Sequence, residues 1–242
     1  MYFDSTYILV LIGLAITLWA QAKVKSAFAK YSAVNSACGM TGKEVAQKIL
    51  QANGIYGVTV QRVSGSLTDY YDPSKKVVCL SDDIYSATSV AALGVAAHEC
   101  GHAIQDNVEY FPLRFRSAFV PVANIGSKLA WPVLIVGFLL GNVISYGYGS
   151  GLDIGSLLIK LGIILFSLSV IFQLITLPVE FNASDRALKQ LESLNILGSD
   201  ENKKAKAVLS AAAFTYVASA ASGILSFLRI LLLFGGRRNR RN

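Results

Sequence analysis

Charge and histidine are both scarce in this chain of 242 residues: 15% of positions are charged and two are histidine. So little charge excludes an ordinary soluble domain, because 53% of the residues are hydrophobic and the mean hydropathy is +0.50. Cysteine occurs three times, at Cys38, Cys79 and Cys100. The number is odd and the spacing is not that of a metal site, so a disulfide framework and a cysteine zinc ribbon are both excluded, and free thiols are expected. The net charge is +7, yet aromatic and basic residues do not interleave. That removes nucleic acid as a partner and leaves anionic lipid at a membrane surface. No internal repeat or low-complexity linker is present.

What is abundant is apolar sequence in long runs. The first is "YILVLIGLAITLWA", Tyr7 to Ala20, and the second is "LAWPVLIVGFLLGNVI", Leu129 to Ile144, with an earlier start available at Ala118. The third, "GSLLIKLGIILFSLSVIFQLITL", is long enough as a helix to cross roughly 30 Å of hydrocarbon. A weaker stretch from Val208 to Phe234 is broken by Gly223 and Arg229. Although Ala20-Gln21-Ala22 imitates a cleavage site, "MYFDST" carries no positive charge, whereas Lys23, Lys25 and Lys30 follow the run. The first run therefore reads as a retained anchor with the cytoplasm on its lysine side. Residues 1–22 are expected to form the anchor, 23–117 a cytoplasmic region, and 118–178 a two-span hairpin with "SYGYGSGLD" outside. Residues 179–207 then return to the cytoplasm, and 208–242 form an apolar segment with a basic tail. A fourth crossing would put the arginines of "GGRRNRRN" outside, so that segment is expected either to span or to pack or re-enter without crossing.

In the cytoplasmic region, Thr41 and Glu44 form a capping box ahead of an amphipathic helix that carries Val45, Ile49 and Leu50 and stops at Gly54. "GMTGKE" has too short a spacing for a phosphate-binding loop and lacks its hydroxyl residue. "GVTVQRV" and "KVVCLS" alternate as strands around the turn-rich "SGSLTDYYDPSKK", which predicts a small antiparallel hairpin. After helix-start residues Ser81, Asp82 and Asp83, the stretch from Ser86 to Ala103 reads as a helix with Leu93, Ala96 and Ala97 facing inward.

That helix carries both histidines, as His98-Glu99-x-x-His102. Positions i and i+4 share a helix face about 6 Å apart, so two neutral imidazoles can bind one Zn²⁺. Glu99, one residue along, stands near the open coordination position, where it can take a proton from water. Ionisable groups in so apolar a helix need a reason. With no third histidine, the next ligand must be an acid or a cysteine. A two-span hairpin returns the chain to the face it left, which brings Glu180 of "LPVEFNASDRALKQL" back toward His102. Asp106, i+4 from His102, is better suited to hold a ligand histidine from behind, and Glu109 lies past the expected helix end.

The stretches "LTDYYDPSKKVVCLS", "AALGVAAHECGHAIQD", "LRFRSAFVPVAN" and "LPVEFNASDRAL" together resemble the YugP-type membrane zinc peptidases of bacteria over nearly the whole chain. The Glu-Phe-x-Ala element is similar to the wider gluzincin group of membrane proteases. The resemblance implies a zinc endopeptidase with one Zn²⁺ per chain on His98, His102 and Glu180 and with Glu99 as general base. It also implies an aspartate four residues after the ligand glutamate, where this chain has Ser184 and places Asp185 one later. Five residues turn about 140° past a full helical turn, so Asp185 reaches the site only through a bulge. The resemblance further implies a histidine where Tyr70 stands. In zincins an edge strand pairs with the substrate backbone; Val77, Val78, Cys79, Leu80 and Ser81 are the candidates, with Tyr216 a candidate oxyanion donor.

The expected fold is mostly α: a multi-pass membrane protein with a small zincin-like α+β cytoplasmic catalytic region, a β-hairpin plus the His-Glu-x-x-His helix. The expected partners are a peptide or membrane-protein substrate and the lipid bilayer. The rival class is a non-catalytic metal-dependent scaffold or a metal transporter. Transport calls for ionisable residues within the spans, where Lys160 and Arg229 are thin support.

Overall fold

The computed structural model describes residues 4–144 and 154–235. The expected outer loop "SYGYGSGLD" and the arginines of the tail lie outside the described residues. The chain divides into two compact units, one from Met1–Leu18, Phe115–Ile175 and Val217–Asn242, the other from Trp19–Arg114 and Thr176–Tyr216.

The first unit is built from parts of four helices: α1 (Tyr7–Ser32), α5 (Phe111–Ile144), α6 (Ile154–Ser193) and α7 (Ser199–Gly235). All four are long and apolar enough to cross a membrane. Hydrocarbon offers no partner for a free N–H or C=O, so a helix, which pairs its own backbone, is the natural element there. Leu11, Leu18, Leu157 and Ile164 face outward. Small residues let backbones meet: a Cβ on Gly155 would lie 2.5 Å from the nitrogen of Gly141, which holds α5 and α6 in direct contact. Hydroxyls are satisfied along their own helices, with Thr17 Oγ1 donating to the Gly13 carbonyl and Ser169 Oγ to that of Phe166.

The stretch from Val208 to Phe234, expected to break at Gly223 and Arg229, belongs instead to one uninterrupted helix of 37 residues. Gly223 is needed for packing, since the Gln173 amide oxygen occupies the space where a Cβ would go. The Arg229 guanidinium lies 3.8 Å from Asp4 and 4.0 Å from the ring centre of Tyr7, so an arginine in an apolar helix meets both an anion and a π face. The far end of α7 therefore lies beside the start of α1.

In the second unit α2 (Gly42–Ala52) opens with the expected capping box between Thr41 and Glu44. Strands β1 (Thr59–Val63), β2 (Tyr70–Asp72) and β3 (Val77–Ser81) follow, then the single turn α3 (Asp82–Tyr85) and α4 (Val90–Asn107). The sheet corrects the two-stranded hairpin expectation. Its order is β1-β3-β2, with β1 parallel to β3 and β2 antiparallel to it. β2 lies inside the stretch read as turn; its two tyrosines favour strand, and the turn proper is only the four residues after Asp72, whose carboxylate accepts from the Ser74 and Lys75 amides. Every residue of β3 is buried, as a central strand requires. Helix α4 starts later than Ser86 because Ser89 caps it, its hydroxyl accepting from the Ala92 N–H. The core packs Ile49, Val78, Leu80, Leu93 and Ala96 with Ala187 and Leu191 of α6.

Candidate metal centre

Helix α4 presents His98 and His102 one turn apart, their ring centres separated by 4.8 Å and their planes at 84°. Helix α6 runs unbroken through Pro178 and brings Glu180 to face both. Glu180 Oε2 lies 3.4 Å from His98 Nε2 and 3.6 Å from His102 Nε2. The helices can approach this closely because position 101 is glycine: a Cβ there would run into the backbone carbonyl of Ala183, one turn from Glu180. Glu180 is 4% exposed and Glu99 and His102 are each 8% exposed.

A second layer sets the proton positions. Gln105 Nε2 donates to the Val179 carbonyl at 2.8 Å and to Asn182 Oδ1 at 3.0 Å. A carbonyl can only accept, so the other end of the amide, Oε1, is the group 3.0 Å from His102 Nδ1. Nδ1 then carries a proton, which leaves Nε2 as the ring nitrogen that faces Glu180 and is free to ligate a metal. Nε2 and the Glu180 carboxylate, 3.6 Å apart, are placed to share a cation between them. In a tetrahedral zinc site with bonds of about 2.0–2.1 Å, neighbouring ligand atoms stand about 3.4 Å apart, so both the spacing and the donor set fit zinc. The ligand-type atoms of His98, His102 and Glu180 all lie within 4.8 Å of one another.

The histidines' other ring nitrogens are met by Gln105 and by Ser184, whose Oγ is 3.1 Å from His98 Nδ1, rather than by an aspartate. Asp185 is not among them: it turns away, as the helical count requires, and pairs with Lys189 at 2.7 Å with 57% of its side chain exposed. Nor does Asp106 hold His102; its Oδ2 accepts from Tyr71 Oη and from Lys76 Nζ, each at 2.6 Å. The signals were available, since Gln105 is i+3 from His102 and Ser184 is i+4 from Glu180. Tyr216 sits on α7, 38% exposed.

Val77 to Ser81 cannot form the expected edge strand, because β3 is paired on both sides. The strand beside α4 with an open edge is β2. Its Tyr71 backbone N–H faces the Glu99 carboxyl group and favours its charged form. Burial pushes Glu99 up to about 7; the charge of His98 pulls against this, and those of Asp69 and Glu180 add to it. Asp69 is raised as well, chiefly by burial, against hydrogen bonds from the Ser81 N–H at 2.7 Å and the Ser81 hydroxyl at 3.1 Å. All three cysteines are free, with Cys79 and Cys100 buried.

Fold and site define a membrane-type protein with one three-donor site, able to hold a metal ion, on a His-Glu-x-x-His helix. The chain belongs to the family described as "Putative neutral zinc metallopeptidase", which it matches over residues 6–235. It is 46% identical over 227 residues to "Putative membrane protease YugP" of Bacillus subtilis (strain 168), covering 93% of this chain and 95% of that one. No solved structure matches it.

Proposed function

We propose that this protein is a gluzincin-type zinc endopeptidase that holds one zinc ion on His98, His102 and Glu180 and cuts peptide bonds at the cytoplasmic face of the membrane. The convergence of two imidazole nitrogens and a buried carboxylate beside Glu99 carries this reading. When bound, zinc polarises a substrate carbonyl and makes water acidic enough to attack near neutral pH. Glu99, buried and lifted toward neutrality, takes a proton as the water oxygen bonds to the carbonyl carbon. It gives that proton to the nitrogen as the carbon–nitrogen bond breaks, so the amine leaves neutral. Ser184 and Gln105 hold the two imidazoles in register. Tyr216 is the candidate donor to the developing oxyanion. The open edge of β2 is the place for an extended substrate to pair. Lys23, Lys25 and Lys30, which close α1 after its apolar run, and the basic residues that follow Glu180 favour the cytoplasm for this unit.

The test is zinc content and casein cleavage of the purified protein beside three variants. Wild type is expected to hold about one zinc and to cut, His98→Ala and Glu180→Ala to lose both, and Glu99→Gln to keep zinc while losing at least a hundredfold in rate. A Glu99→Gln variant that still cuts would sink the assignment of the base. Zinc retained in Glu180→Ala would put the third ligand elsewhere.

A further inference from the structure

Aspartate 106 is the one acid of α4 outside the metal site, and it ties α4 to the sheet. Its Oδ2 takes two charge-assisted hydrogen bonds, from the Tyr71 hydroxyl and the Lys76 ammonium, both at 2.6 Å. Both donors belong to one hairpin: Tyr71 is the middle residue of β2, and Lys76 ends the turn into β3 with φ of 53°. Side chains alternate along a strand, so Tyr71 points to the α4 side of the sheet while Tyr70 and Asp72 point away. The backbone N–H of the same Tyr71 faces Glu99.

One strand residue thus meets α4 at two places, hydrogen-bonded to Asp106 through its hydroxyl and facing Glu99 with its backbone N–H. The two contacts on α4 are seven residues apart, about 10 Å along the axis and on one face. A single contact leaves a strand free to pivot or slide; two contacts two turns apart remove that freedom. The other end of β2 is pinned separately, where Asp69 binds Ser81 at the close of β3.

We propose that Tyr71, Asp106 and Lys76 form a clamp that positions β2 along the active-site helix and so sets which bond of a paired peptide reaches Glu99. The inference rests on the peptidase reading. None of the three touches the reacting atoms through its side chain; they are positioning residues, acting through the strand. A peptide paired to β2 takes its register from that strand, because backbone pairing fixes its position relative to the ladder. If the strand shifts against α4, the scissile carbonyl shifts with it, and a displacement of about 1 Å suffices to cost roughly a hundredfold in rate.

The test is cleavage of β-casein, with every cut bond mapped by mass spectrometry, using full-length zinc-loaded protein in detergent. Tyr71→Phe and Asp106→Asn are compared with wild type, with the double variant, and with Arg62→Gln as a control that breaks only the exposed pair to Asp82 on another strand. Tyr71→Phe is expected to keep zinc at the wild-type level, to lose about ten- to a hundredfold in kcat/KM at the main bond, and to cut neighbouring bonds that wild type spares. Asp106→Asn, which also removes the charge that holds Lys76, is expected to be at least as severe, and the double variant to be no worse than Asp106→Asn alone, since the Tyr71 bond is already weakened there. A general loss of folding would lower zinc and slow all bonds equally; a changed set of cut bonds with zinc intact is the mark of positioning. Wild-type rate and cleavage pattern in Tyr71→Phe would overturn the clamp alone. A zinc-loaded wild type that cuts nothing would overturn the peptidase reading and the clamp with it.

Discussion

Glu99 has to be buried to stand beside the metal site, and burial works against its charge. Its carboxyl group sits at about 7 in the folded protein against 4.5 in a free side chain. The folded state therefore holds its proton more tightly than the unfolded one. Stability from this group is fully present below about pH 4.5 and is lost as pH rises through 7, by an amount on the order of 3 kcal/mol. Glutamine never ionises and so escapes the loss. The metal-free Glu99→Gln variant is accordingly expected to melt above metal-free wild type at pH 8, with the gap shrinking toward pH 5. An equal gap at both pH values would show that charge burial is not the cause. The motif itself was legible in the sequence because its spacing is local. Gln105 and Ser184 were equally local in number, yet their role depends on Val179, Asn182 and Ser184 of α6 meeting α4.

Helices α4 and α6 are joined across the site by a missing side chain. A Cβ on Gly101 would strike the Ala183 carbonyl, so any larger residue must push α6 away and Glu180 with it. Gly101→Val is expected to cost about 1–3 kcal/mol in stability and to strip the zinc. Gly94→Ala on the same helix is the control: its Cβ would meet the Ala205 Cβ at 3.4 Å, an ordinary contact, and zinc should stay. Equal zinc loss in both variants would refute the argument from close approach. At this scale an element is legible in the sequence where periodicity is strong, as in α2 and its capping box. β2, a strand of three residues, is too short for alternation to stand out from turn chemistry. Whether β3 is central or an edge is not legible either, because pairing partners are not written in a strand's own residues.

Over the whole chain, the pair between Asp4 and Arg229 brings the start of α1 and the end of α7 together in one unit. Both helices are long and apolar enough to cross a membrane, and two helices whose opposite chain ends meet run antiparallel. Tags placed ahead of residue 1 and after residue 242 are expected to report the same, outer, face of the membrane. Protease shaving of intact and opened cells would check this; tags on opposite faces would mean that α7 does not cross. The Asp4 contact and the length of α7, about 55 Å, favour a crossing.

What the sequence determined alone is what depends on neighbours along the chain: the apolar runs, the caps, the two imidazoles one turn apart with a glutamate between them, and the lack of a third histidine that turned attention to Glu180. Each is a matter of composition or of helical spacing. Tertiary structure decided what depends on which surfaces meet. It set β3 at the centre of the sheet and β2 at its edge, and it gave His102 to Gln105 and His98 to Ser184. It turned Asp185 out to Lys189 and made Asp106 the anchor of a strand. Those choices follow from burial and pairing between segments far apart in the chain, where a hydrogen bond goes to whichever donor the packing brings within about 3 Å.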